Sequence, residues 1–180
     1  VKLPVTIRMP SGGGHQLASQ HSHSLEAIFV HTPGLKVVYP ATPADAKALL
    51  KASIRDDNPV IFLEHEGLYN FADEVPEPCE AGVLGQAAIV RDGNDLSLIS
   101  YGAMTHVALA AADEIAKTGV QAEVIDLRTL RAWDMPTVMD SVSRTHRAIV
   151  IEESPPHCGI GAEIAANVQE QVFDELDGPV

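Results

Sequence analysis

Short apolar runs recur along the chain, each followed by a stretch with helical periodicity, and this alternation restricts the fold more than any other feature. Pro4-Val5-Thr6-Ile7-Arg8-Met9 reads as a strand, Leu35-Lys36-Val37-Val38-Tyr39-Pro40 as a buried strand, and Val60-Ile61-Phe62-Leu63 as the continuous apolar kind found in parallel sheets. Between the first two, a helix starts near Ser24 with Leu25, Ile28 and Phe29 on one face. Thr42-Pro43-Ala44-Asp45 opens the next one: Thr42 caps, Pro43 fits the first turn and Asp45 meets the helix dipole. Ala46, Leu49, Leu50 and Ile54 form its inner face, and Asn58-Pro59 ends it. Further on, strands near 87–91, 96–101, 122–127 and 147–152 alternate with helices near 104–117, 135–144 and 160–176. Gly119 suits a helix C-cap and Asp134 a helix N-cap. Helices of this length between strands require parallel pairing by right-handed crossovers, so the fold class is α/β.

The alternation breaks once. Between Asn70 and Gln86, Pro76, Pro78, Cys79 and the acids Asp73, Glu74, Glu77 and Glu80 crowd together, and the stretch reads as an acidic linker between two α/β pieces. Composition narrows the class of partner. Hydrophobic residues at 46% against 21% charged are enough for a core, which excludes disordered and fibrous architectures. Lys+Arg 12 against Asp+Glu 25 gives a net charge of −13, unfavourable for a nucleic acid or an anionic membrane and favourable for a cationic protein surface. No apolar run reaches the ~20 residues that span a bilayer. Two cysteines in unlike contexts make no disulfide framework, so a reducing compartment is expected. The chain opens without Met on a strand and closes on a turn followed by Val180, so it reads as a portion of a longer polypeptide.

Three constellations carry chemistry. In Gly12-Gly13-Gly14-His15-Gln16-Leu17-Ala18-Ser19-Gln20-His21-Ser22-His23-Ser24, three imidazoles lie on a glycine-rich connection beyond a strand's carboxyl end, where open α/β sheets place ligands. A histidine there suits acid–base work on a small acid; the same residues also make an ordinary polar turn with capping serines. Metal binding by His21 and His23 lacks a third nearby ligand, and no Gly-x-Ser-x-Gly elbow supports a serine triad. Cys158-Gly159-Ile160-Gly161-Ala162-Glu163 opens a helix after a strand, so its glycines admit an anion or simply make a tight turn. Ile164 replaces the third glycine of a dinucleotide fingerprint. Ser53-Ile54-Arg55-Asp56-Asp57-Asn58 gathers oxygens at a helix end, either a solvated terminus or a hard-cation site.

Several segments in order closely resemble one family. Pro4-Val5-Thr6-Ile7-Arg8 with the glycine loop, Gln20-His21-Ser22-His23-Ser24-Leu25-Glu26-Ala27, His31-Thr32-Pro33-Gly34-Leu35-Lys36-Val37-Val38, the stretch from Ile54 through Asn58 to His65, and Val124-Ile125-Asp126-Leu127-Arg128-Thr129-Leu130 are similar to the β subunit of the E1 component of 2-oxo acid dehydrogenase complexes. The resemblance implies a partial pyrimidine-binding-type parallel sheet over residues 1–70, a linker over 71–85, and a transketolase C-terminal-type α/β/α domain over 86–180.

That resemblance implies an oxidoreductase that decarboxylates a 2-oxo acid and reductively acylates the lipoyl group of an E2 acyltransferase. Its thiamine diphosphate is shared with an E1 α subunit, which holds the Mg2+, in an α2β2 heterotetramer that also brings in a second β subunit. His21 matches the family's active-site histidine, facing the thiazolium side and helping to position substrate. His23 stands where many members have Gln. Val5, Thr6, Ser53, Asp56 and Asn58 match positions that hold a structural cation, expected to be K+, largely through backbone carbonyls. The E2 subunit-binding domain of the family is basic, which suits the −13 charge here. The family's cofactor-activating glutamate lies ahead of the position of Val1, so these residues alone are expected to be inactive. Apolar Val5, Ile7 and Val60 are expected to be uncovered. The implied location is the bacterial cytoplasm or, in a eukaryote, the mitochondrial matrix. Trp133-Asp134 and Val168-Gln169-Glu170 resemble branched-chain members, whereas Tyr101-Gly102-Ala103-Met104 resembles pyruvate members. The alternative is a non-catalytic docking module that recruits E2. A deoxyxylulose phosphate synthase fits His21 through Ala27 and Arg55 through Tyr69 less well.

Overall fold

Two four-stranded sheets carry the chain, in a computed structural model that describes residues 2–15 and 18–180 without the side chains of His15 and Ser19. The readings that involve Gln16, Leu17 and those two side chains lie outside the described residues. The N-terminal half supplies β1 (Thr6–Ser11), α1 (Ala18–His21), α2 (Glu26–His31), β2 (Lys36–Val38), α3 (Pro43–Ile54) and β3 (Val60–His65). The C-terminal half supplies β4 (Ala88–Arg91), β5 (Leu96–Ser100), α4 (Ala103–Ala116), β6 (Ala122–Asp126), β7 (Thr129–Arg131), α5 (Met135–Thr145), β8 (Ala148–Ile151) and α6 (Ile160–Val172).

The first sheet has the order β1-β3-β2-β7, with β1 and β2 both parallel to β3. Val60, Phe62 and Leu63 are buried because helices cover a parallel sheet on both faces. Thr42 caps α3 as its sequence requires: its Oγ1 accepts the Asp45 N–H at 3.1 Å, with Pro43 in the first turn. The second sheet has the order β4-β6-β5-β8, parallel except at β4. Asp134 caps α5 through the Thr137 N–H at 3.3 Å.

Four expectations need correction. β4 runs antiparallel to β6, because it enters from the linker and no helix carries it across the sheet. β7 is too short to stand out from the Asp126–Thr129 turn, yet it pairs antiparallel with β2, so a strand of the C-terminal half completes the first sheet. Leu25, Ile28 and Ile54 face outward rather than inward; in α2 the buried residue is Glu26. Val60 is fully covered, whereas Val5 and Ile7 on the edge strand are exposed, Ile7 by 46%.

One apolar cluster runs through both halves, joining Val37, Ile61 and Leu63 to Ile99, Ile125, Leu130 and Ile164. Arg128 reinforces that junction. Its guanidinium donates to Asp45 Oδ1 at 3.0 Å, Gln86 O at 3.0 Å and Ala87 O at 3.1 Å, while its carbonyl accepts the Tyr39 N–H at 2.9 Å. The residue sits in a left-handed conformation (φ +55°), held by its own N–H on Asp126 Oδ1 at 3.0 Å.

Asp126 is fully buried and its Oδ2 has no hydrogen-bond partner, so burial pushes its carboxyl up to about 7. A carboxyl raised in the folded state stabilises fully below its unfolded value near 4, and that stabilisation is lost as pH rises through about 7. Asp126→Asn keeps the acceptor for Arg128 and removes the ionisation. Thermal melts should therefore show the wild type losing stability between about pH 4 and 7, by up to the order of 4 kcal/mol for a carboxyl lifted from 3.8 to about 7, while the variant lacks this fall. Parallel curves for the two proteins would refute the assignment.

Candidate active site

The carboxyl ends of β1 and β3 meet the loop that leaves β8, and the chemistry-bearing side chains gather there. The glycine loop is tied down at both ends. Gly12 N–H and Ser11 Oγ both donate to His23 O, at 3.1 and 3.0 Å, and Gly14 N–H donates to Glu153 Oε1 at 2.6 Å. Gly12 has φ +122°, and a Cβ there would lie 2.7 Å from the His65 ring, so only glycine fits.

The structure brings His21 to this end of the sheet. Its ring is about half exposed (49%), and Nδ1 lies 2.8 Å from Oε1 of Glu66. His23 is exposed, and its carbonyl rather than its ring anchors the loop. His65, the last residue of β3, is buried: Nδ1 accepts the Gly67 N–H at 3.1 Å, so the ring proton sits on Nε2 and points at Glu153 Oε2, 2.8 Å away. Sequence reasoning singled out His21 and passed over Glu66 and Glu153, and His65 entered only within a matched segment. The available signal was position: His65 ends the most apolar strand and Glu66 directly follows it, where parallel sheets place ligands.

Behind this surface lies a buried acidic group. Tyr101 Oη is 3.0 Å from both Glu26 Oε1 and Glu152 Oε2, and burial raises the Glu26 carboxyl above the usual range. A single phenolic proton cannot serve two carboxylates, which favours a proton on Glu26. Glu152 also answers the question posed by Gly159 and Gly161: it accepts the Gly161 N–H at 3.0 Å, so the anion at the start of α6 is the chain's own carboxylate.

The five proposed cation ligands cluster at the opposite end of the first sheet. Val5 and Thr6 begin β1, and Ser53, Asp56 and Asn58 surround the turn into β3. Their groups already have partners. Val5 O accepts the Val60 N–H at 2.8 Å, Ser53 Oγ donates to Leu49 O at 2.7 Å and its carbonyl accepts the Asp56 N–H at 3.2 Å. Burial alone would raise the Asp56 carboxyl, but the Lys36 ammonium and two donors from Asn58 outweigh it and hold the carboxyl low. Among the described residues no group of three or more His, Cys, Asp and Glu has a metal-binding arrangement. A cavity of about 730 Å³ lined by Val30, Trp133 and Cys158 includes none of His21, His65, Glu66 and the five proposed cation ligands.

Comparison with known proteins gives consistent neighbours. The transketolase C-terminal domain matches residues 85–180, and the transketolase pyrimidine binding domain matches residues 1–72. The acetoin:2,6-dichlorophenolindophenol oxidoreductase subunit beta of Cupriavidus necator is 51% identical over 97% of this chain and 52% of its own length. The pyruvate dehydrogenase E1 component subunit beta of Bacillus subtilis is 49% identical over 98% of this chain and 55% of its own length. The chain thus spans about half the length of these curated relatives. A solved structure described as a split gene transketolase, inactive beta4 tetramer, superposes with a TM-score of 0.79 at 25% identity, over 94% of this chain and 55% of that one.

Proposed function

The chain belongs to the transketolase family, whose pyrimidine-binding and C-terminal domains it carries, and from that premise we propose that it forms part of the β subunit of a thiamine-diphosphate-dependent 2-oxo acid dehydrogenase E1. The observation that carries this reading is the exposed His21 imidazole, tethered to Glu66 at the carboxyl end of the parallel sheet. The residues around it suit one end of the cofactor. Glu66, Glu152 and Glu153 make the surroundings acidic, which suits the cationic thiazolium ring and repels a diphosphate, so the diphosphate and its Mg2+ fall to an α subunit. When bound, thiamine diphosphate supplies a carbanion and an electron sink for the loss of carbon dioxide.

This chain's own residues supply proton handling and shape. His21 holds or moves a proton at Nε2 beside the substrate, and the Glu153–His65 pair keeps the glycine loop seated under it. Transfer of the acyl group to the lipoyl arm of E2 belongs to the same reading, and the net charge of −13 favours the docking of a basic E2 domain. Potassium at Val5, Thr6, Ser53, Asp56 and Asn58 fits less well, because the Lys36 ammonium already neutralises Asp56.

The test is reconstitution. The β chain co-purified with its α partner is expected to consume a 2-oxo acid or acetoin only when thiamine diphosphate and Mg2+ are added, and the β chain alone is expected to be silent. A panel of pyruvate, branched-chain 2-oxo acids and acetoin identifies the substrate. No cofactor-dependent turnover with any of them would overturn the proposal.

A further inference from the structure

We infer that Glu66 is the positioning residue for His21, fixing which ring nitrogen the imidazole offers; this rests on the active-site role proposed for His21 above. His21 ends a single helical turn in a glycine-rich loop, and its ring is about half exposed. Glu66 is placed differently. It follows β3, the strand paired on both sides by β1 and β2, and its side chain is only 17% exposed. The more exposed partner is therefore oriented by the more buried one. The neighbouring acid does not compete, because the Arg8 guanidinium takes both oxygens of Glu64, at 2.7 and 3.2 Å.

The contact selects a tautomer. A carboxylate only accepts, so an Nδ1 that lies 2.8 Å from Oε1 carries the hydrogen, and the neutral ring then keeps its lone pair on Nε2. The adjacent His65 is fixed in the opposite form, with its hydrogen on Nε2, by Gly67 and Glu153. One strand end thus holds two imidazoles in two tautomers, one buried and one presented outward.

Nitrogen-15 spectra of histidine-labelled chain test this directly, with the His21 signals assigned by their disappearance in His21→Ala. The deprotonated wild-type ring is expected to show Nδ1–H. Glu66→Ala is expected to shift the population toward Nε2–H, and Glu66→Gln, which retains an acceptor oxygen, to restore the wild-type form. In the complete α2β2 enzyme, Glu66→Ala should lower kcat about 10- to 100-fold with little change in KM, below the ~10²–10⁴ of a whole acid–base group. Glu66→Gln should recover part of that loss, and Glu66→Ala combined with His21→Ala should be no slower than His21→Ala alone. An unchanged tautomer in Glu66→Ala, or additive losses in the double variant, would overturn the inference. Normal turnover in His21→Ala would instead overturn the role of His21, and the spectra distinguish the two failures.

Discussion

His21→Ala in the proposed α2β2 enzyme is expected to lower turnover by about 10²- to 10⁴-fold, the range in which a positioned acid–base side chain contributes. The expectation follows from where the ring stands. It is half exposed and lies at the carboxyl end of parallel strands beside a loop whose glycines are required by close contacts. Removing an exposed ring costs little folding energy, so the variant should assemble and melt like the wild type. Loss of activity with retained assembly supports a chemical role. Turnover within a few-fold of wild type would refute it, whatever the family resemblance.

Arg128→Met is expected to cost about 3 kcal/mol, a fall in Tm of roughly 6–12 °C for a chain of this length. The methionine keeps the apolar stem but removes three donors that tie α3, the end of the linker and the Leu127–Thr129 turn together. Asp45, four-fifths buried, is left without its countercharge, and two backbone carbonyls lose their partner. Neutralising the orphaned acid in Arg128→Met with Asp45→Asn should recover part of the loss. An unchanged Tm in the single variant would show that the Arg128 side chain contributes nothing measurable to the junction.

The legible part of the fold was the part set by local chemistry. Thr42, Pro43 and Asp134 mark helix starts whatever surrounds them, and the run Val60–Leu63 is a strand in either sheet context. β7 was not legible, because three residues after a tight turn carry no periodicity and become a strand only where β2 offers an open edge. Leu25 and Ile28 misled for a related reason: in so short a helix, the tyrosine-bound Glu26 decides which face turns inward. In the candidate site, the glycine-rich context offered three histidines, and the family resemblance singled out His21. Its partner was not legible, since Glu66 lies far along the chain and only the parallel register brings it near.

The amino-acid sequence by itself determined the α/β class, the helix caps, the net negative charge and a glycine-rich loop that carries histidines, because each depends on neighbours within a few residues or on a simple sum of charges. Tertiary structure alone decided that β7 completes the first sheet, that Asp126 is sealed from water, and that Glu66 meets His21. Those outcomes depend on distances between segments far apart along the chain, and a carboxylate acquires its pKa or its imidazole partner only when packing has fixed what lies within about 3 Å of it.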